Sequence, residues 1–197
     1  MKFLKSYTKD REKEVVIVTD DGEFPIWIKD FERLFSTLEK NDEIPDDDLL
    51  RTLAVRREIK KSAIRKISAG NNTKNGLIRK ILRERMFGTF PDRADVEKII
   101  EKLAVAGFIN DAMYADRFLE SALKKGWGEF KIRSSMRERG FEGADIDTAL
   151  EKASPDWEKI AREWLSENGE DEREKNFRKL QARGFSTDII LNVLNGD

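Results

Sequence analysis

The spacing of apolar residues changes character near residue 30. In "EVVIVTDDGEFPIWI" two short apolar stretches, Glu14 to Thr19 and Glu23 to Ile28, flank Asp20, Asp21 and Gly22. That is the pattern of a β-hairpin closed by a tight turn. A lone hairpin is marginal in water, so it must pack on something. In "KDFERLFSTLEK", Phe31, Leu34, Phe35 and Leu38 fall at helical spacing. From Asp46 onward the chain reads as helix after helix. Asp46, Asp47 and Asp48 follow Pro45 and precede "LLRTLAVRREIKKSAIRKIS". Acids at that place stabilise the positive end of a helix dipole, which explains them better than a metal site does.

Within the helical part a signature recurs. "LIRKILRERMF" ends at Phe87, "KIRSSMRERGF" at Phe141 and "KNFRKLQARGF" at Phe185. Aligned on those phenylalanines, Leu82, Met136 and Leu180 coincide, as do Arg85, Arg139 and Arg183. "ADVEKIIEKLA" and "ADIDTALEKAS" then match in pattern, and Ile190, Val193 and Leu194 fall where Ile146, Ala149 and Leu150 do. Upstream of each signature lies another helical stretch, at 47–68, 111–125 and 156–167. The period is 44 residues from Phe141 to Phe185 and 54 from Phe87 to Phe141, where "GTFPD" and "VAGFIN" lengthen the turns. Each unit thus reads as a helix, a short basic helix and a closing apolar helix.

One unit shows why the signature uses these residues. Ile132 and Met136, four apart, share a helix face that can pack inward, while Arg133 and Arg137 share another. Gly140 and Gly184 stand where helices often end in a left-handed residue, and the next phenylalanine turns back to the core. Unit one has Met86 there, so its basic helix runs longer or ends differently. Trp157, Ile160, Ala161, Trp164 and Leu165 keep helical spacing and read as core. Trp127, between Gly126 and Gly128, is either a packing plug or an exposed contact.

Composition narrows the chemistry. With no Cys and no His in 197 residues, thiol nucleophiles, histidine-based triads and structural zinc sites are excluded, and no cofactor is expected. Only carboxylate or lysine chemistry remains, and no convergent carboxylate pair stands out, so an enzyme is not expected. No stretch approaches the roughly 18 apolar residues of a membrane span, and no signal-peptide core follows the start; a cytoplasmic protein is expected. The net charge of −1 conceals an uneven distribution. Residues 49–140 hold 22 Lys and Arg against 11 Asp and Glu, whereas residues 1–48 and 141–197 each hold 8 against 14. A basic middle between acidic flanks offers an anion a local field.

Two segments, "GFINDAMYADRFLESALKKGWGEFKIRSSMRERGFEGADIDTAL" and "FRKLQARGFSTDIILNVL", carry a resemblance: they are similar to the central and C-terminal repeats of the bacterial RecX regulators of the RecA recombinase. It covers residues from about 50 to 195 and implies a mainly α fold. The expected architecture is a tandem array of three three-helix repeats, elongated and curved, with a small N-terminal β-hairpin. The divisions are 1–45 for the hairpin and a short helix, then repeats at 46–109, 110–153 and 154–197. The resemblance also implies a monomer that limits recombination, strand exchange and the SOS response by binding RecA and its filament on DNA, without catalytic residues or metal.

The candidate contacts to RecA or DNA are the cations off the apolar faces. They are Arg56, Arg57, Lys60 and Lys61 on the helix from Asp46; Arg79, Lys80 and Arg83; Lys131, Arg133 and Arg137; and Lys175, Arg178 and Lys179. Arginine's planar fork suits phosphates and carboxylates alike. A basic helix face can equally be only solvated, and Arg85, Arg139 and Arg183 can simply complement helix dipoles. The alternative function is an independent binder of single- or double-stranded DNA, since three-helix units with a basic helix resemble helix-turn-helix modules. Against it, no isolated helix carries base-reading Asn or Gln.

Overall fold

The structure, a computed structural model, describes residues 1–9, 13–169 and 172–196. It divides into two compact units, Met1–Gly70 with Leu77–Val105, and Asn71–Gly76 with Ala106–Asp197.

The first unit opens with an antiparallel sheet of β1 (Phe3–Lys9), β2 (Glu14–Thr19) and β3 (Gly22–Trp27), in that order. The hairpin β2–β3 lies close to where the alternation puts it, with Thr19 opposite Gly22. The added strand is β1, whose pairing with β2 makes β2 the centre of the sheet. Its sequence, "FLKSYTK", is mostly exposed, as suits an edge strand blunted by lysine. Short helix α1 (Ile28–Leu34) follows and ends at Phe35, which is buried, so the helical spacing through Leu38 continues only as turns.

Helix α2 (Asp47–Ser68) begins at its cap Asp46, whose carboxylate accepts the Leu49 N–H at 2.8 Å. It lays Leu50, Leu53 and Ala54 against Ile17, Phe24, Ile26 and Phe35 to form the core under the sheet. Farther along, α2 packs on α4 (Arg93–Val105). Between these two lies α3 (Lys74–Ile81), shorter than the repeat pattern implies. Where its relatives in the repeat end in Arg-Gly-Phe, Met86 and Thr89 exchange backbone hydrogen bonds of 2.7 and 3.1 Å across Phe87 and Gly88, both at positive φ.

The second unit holds two helix triplets: α5 (Asp111–Lys124), α6 (Glu129–Arg139) and α7 (Gly143–Ala153), then α8 (Trp157–Asn168), α9 (Arg173–Ala182) and α10 (Thr187–Asn195). In the first, Ala115, Leu119, Ile132, Met136, Phe141, Ile146 and Leu150 form one cluster. In the second, Ala161, Leu180, Phe185 and Ile190 form another. Trp157 packs against both, Trp164 against the second and Trp127 against the first, so all three indoles serve packing. Full burial of Ile132 or Met136 contributes about 1.5–3 kcal/mol each. Gly140 (φ 91) and Gly184 (φ 84) adopt the left-handed conformation after α6 and α9, and the N–H groups of Phe141 and Phe185 bond back to the carbonyls of Met136 and Leu180.

Candidate anion-binding surface

The basic helices of the second unit are joined end to end through their backbones. At the end of α9 the carbonyls of Arg183 and Gly184 accept the N–H groups of Gly128 (2.8 Å) and Phe130 (3.0 Å) at the start of α6. The carbonyls left open by one helix thus meet the N–H groups left open by the other. At the far end of α6 the Arg139 carbonyl accepts the Thr73 hydroxyl at 2.7 Å, while that hydroxyl accepts the Gly76 N–H at 2.9 Å. Asp111 receives the Lys74 N–H on both carboxylate oxygens at 3.1 Å. Its partial burial pushes the Asp111 carboxyl above the usual range in spite of that bond, with Asp145 and Glu142 adding to the rise.

Each joint requires small residues. A Cβ on Gly128 would overlap the Gly184 carbonyl, and one on Gly76 would stand 2.7 Å from the Arg139 oxygen. The arginine repeated in the signature lies over an aromatic ring in each repeat. The Arg139 guanidinium lies 4.6 Å from the Phe118 ring centroid and donates to the Ser135 carbonyl at 2.9 Å. That of Arg183 lies 4.4 Å from the Trp164 ring and donates to the Lys125 carbonyl at 2.8 Å. In the first unit Arg85 stacks over Phe90 at 5.3 Å. The repeated position is therefore a cation–π latch, beyond the dipole complement that its place near a helix end suggests.

The cations expected to make contact fall into distinct environments. On α6, Lys131 is half-buried, with Nζ 5.0 Å from the Trp127 ring and 3.5 Å from the Ala182 carbonyl, which ties α6 to α9. Arg133 is held between Glu129 (2.6 Å) on its own helix and Asp147 on α7. Hydrogen bonds to Asp147 first and Glu129 second raise its pKa further. Arg137 is exposed, and among the described residues no acidic side chain pairs with it. On α9, Lys175 pairs with Glu172 at 2.9 Å, Arg178 pairs with Glu174, and Lys179 donates to the Asn168 carbonyl at 2.9 Å.

In the first unit, Arg56 is bound to Asp95 at 2.8 Å, Lys60 lies 5.3 Å from the Trp27 ring, and Lys61, Arg79, Lys80 and Arg83 are exposed. Arg57 departs from expectation. It is 3% exposed and paired with Glu14, itself fully buried, and with Glu58 at 3.0 Å. It lies on the same stripe of α2 as Leu50, Leu53 and Ala54, so its charge turns inward to the sheet and no surface partner can reach it. The signal was present in the sequence: one arginine on an apolar stripe and one glutamate at the head of an apolar strand, each needing a partner in a dry interior.

The spacing argument also passed over Phe130, which is 62% exposed on α6. Among the described residues no three acidic side chains form a metal-binding group, and no helix is long and apolar enough to cross a membrane.

Comparison with known proteins places this arrangement. The profile of the second three-helix domain of RecX matches residues 110–150, which contain α5, α6 and most of α7. Regulatory protein RecX of Chromohalobacter salexigens is 31% identical over 156 residues, 76% of this chain and 90% of that protein. That of Pseudomonas fluorescens is 30% identical over 108 residues, 51% of this chain and 70% of that protein. A crystal structure of regulatory protein RecX shares the fold over 98% of both chains, with a TM-score of 0.67 at 21% identity. RecX from Lactobacillus salivarius shares it over 72% of this chain and 96% of that one, with a TM-score of 0.57 at 19% identity. On the extent and identity of these matches, the chain belongs to the RecX family of regulatory proteins.

Proposed function

We propose that the protein regulates RecA, chiefly as an inhibitor of RecA-mediated recombination and the SOS response, by binding RecA and its filament on DNA as a cytoplasmic monomer without cofactor. The observation that carries this reading is the end-to-end joint between α9 and α6, which holds successive basic helices in fixed order within one unit. A filament presents repeating phosphates and side chains, and a fixed series of short cationic helices suits such a ligand. The contacts are assigned to Lys131 and Arg137 first, then Arg133, Lys175, Arg178 and Lys179. In the first unit they are assigned to Arg56, Lys60, Lys61, Arg79, Lys80 and Arg83. The repeats at 46–109, 110–153 and 154–197 are taken as the binding modules, with 1–45 as a separate N-terminal element.

The experiment is RecA-dependent ATP hydrolysis and strand exchange on single-stranded DNA with the protein added below stoichiometry. Inhibition is the expected result, and none at any ratio overturns the proposal. Changing Lys131 and Arg137 together to Glu should abolish inhibition while helix content stays the same, because glutamate supports helix about as well as lysine or arginine. Where phosphates are met directly, the salt dependence of binding should have a slope near about −0.7 per single-strand phosphate, reduced in the double variant. Tight binding to DNA without RecA, combined with no effect on the filament, would instead mark an independent DNA-binding protein.

A further inference from the structure

The outer face of α6 carries an apolar ring among its charges. Phe130 is 62% exposed, and Arg133, Ser134 and Arg137 follow it by three, four and seven residues on the same side of the helix. The matching position of the next triplet carries no apolar side chain. Counted back from Phe141 and Phe185, Phe130 corresponds to Glu174 of α9, which is exposed and paired with Arg178. What holds Phe130 to the fold is its backbone N–H on the Gly184 carbonyl, which any residue except proline supplies. Ile132 and Met136 fill the core side of α6. A largely exposed ring therefore stands where the matching position of α9 carries an exposed, charged residue.

Its neighbours are mostly cationic. Lys131 adjoins it in sequence, Arg133 and Arg137 share its side of the helix, and Arg137 is exposed without an acidic partner among the described residues. Glu129 and Asp147 are engaged by Arg133; Glu138 is the other acid on the helix. A ligand that answers both features has flat apolar faces alternating with regular negative charges. Single-stranded nucleic acid is that ligand, since bases stack on aromatic side chains while the backbone follows cations. A purely acidic protein surface answers the cations alone.

We infer that Phe130 is a base-stacking residue, one base of a single strand lying on its ring while adjoining phosphates are met by Lys131 and Arg137. This rests on the reading of the basic helices as the contact surface, and adds that the strand itself is touched.

The test compares a labelled oligothymidylate with an abasic oligomer of the same length and charge, each titrated with the full chain at low salt. Wild-type protein should bind the oligothymidylate about fivefold or more tightly than the abasic strand. Phe130→Ala should lose that preference without changing affinity for the abasic strand, and Phe130→Trp should keep it. Arg137→Glu should weaken both strands alike. Unchanged helical circular dichroism shows that the variants are folded. A Phe130→Ala protein that keeps the preference, or a wild-type protein that binds both strands equally or neither, overturns the inference. If Phe130→Ala keeps the preference yet no longer inhibits strand exchange, the ring meets protein instead, and the regulatory reading stands without it. If the wild type shows the preference but never inhibits strand exchange, the regulatory reading fails and the stacking residue remains.

Discussion

Helices α6 and α9 hold the same place in successive triplets, yet they treat positive charge differently. On α9 Lys175 is neutralised by Glu172 and Arg178 by Glu174, while Lys179 donates to the Asn168 carbonyl much as Lys131 of α6 does to the Ala182 carbonyl. On α6 Arg133 is drawn across to Asp147 of α7, Arg137 is left open, and Phe130 stands where α9 has Glu174. The inward side is shared: Met136 and Leu180 are fully buried, and each helix ends in a left-handed glycine followed by a buried phenylalanine. Packing fixes one side of the repeat and leaves the other free to vary, so counting cations per helix overstates both helices, and α9 more than α6.

The largest effect that can break this comparison lies on the shared side. Phe141 packs against Tyr114 at 4.9 Å and Phe118 at 6.3 Å between ring centroids, within a cluster larger than the one around Phe185. Phe141→Ala should cost about 3–5 kcal/mol in urea unfolding, and Phe185→Ala less, because the smaller cluster has more partly buried neighbours that can close the cavity. Equal losses would mean that the two inner sides are energetically the same. A wild-type midpoint for Phe141→Ala would mean that the ring carries no packing energy.

The joint between the two helices comes next. Gly128 has an ordinary φ of −80, so an alanine there is not strained by its own backbone; its Cβ instead meets the Gly184 carbonyl. Gly128→Ala should therefore cost about 1–3 kcal/mol as overpacking, and should weaken strand-exchange inhibition by moving α6 against α9. Gly196→Ala is the opposite case: φ is positive there (80), so an alanine is strained by its own backbone, but nothing lies within 4 Å of an added Cβ, and the loss should be nearer about 1 kcal/mol. A Gly128→Ala protein as stable and inhibitory as wild type would show that the joint is loose.

Much of this contrast could be read from the chain. The limits of α2 follow from Asp46 and the apolar stripe behind it, and the glycine stops follow from Arg-Gly-Phe, because caps and periodicity are local properties. The edge strand β1 could not be read in the same way: Lys5, Ser6, Thr8 and Lys9 give it little apolar signal, and it exists through pairing with β2. Nor could the state of each cation, which depends on what a neighbouring helix brings to it. Arg57 meets Glu14 from a strand 43 residues earlier, and Arg133 meets Asp147 from the next helix. Lys131, Arg133 and Arg137 look equivalent in sequence, and only packing separates a tether, a clamped ion pair and an open charge.

The smallest effect sharpens the comparison most, because it changes charge pairing without touching the core. Asp147→Asn removes one of the two carboxylates on Arg133, and Glu174→Gln removes the one on Arg178. Both pairs are solvent-screened, so each change should cost at most about 1 kcal/mol in unfolding. Their effects on binding should differ. Asp147→Asn removes a negative charge beside Arg133 and Arg137 on the face assigned to the filament, while Glu129 still holds Arg133, and should tighten binding to RecA on single-stranded DNA by about two- to fivefold, with a steeper salt dependence. Glu174→Gln frees a cation of the same kind on a helix assigned a lesser part, and should change binding less. The measurement is filament affinity across a salt series for the two variants and wild type. An equal gain from both, or a larger one from Glu174→Gln, would move the centre of the contact from α6 towards α9 and end the distinction drawn between them.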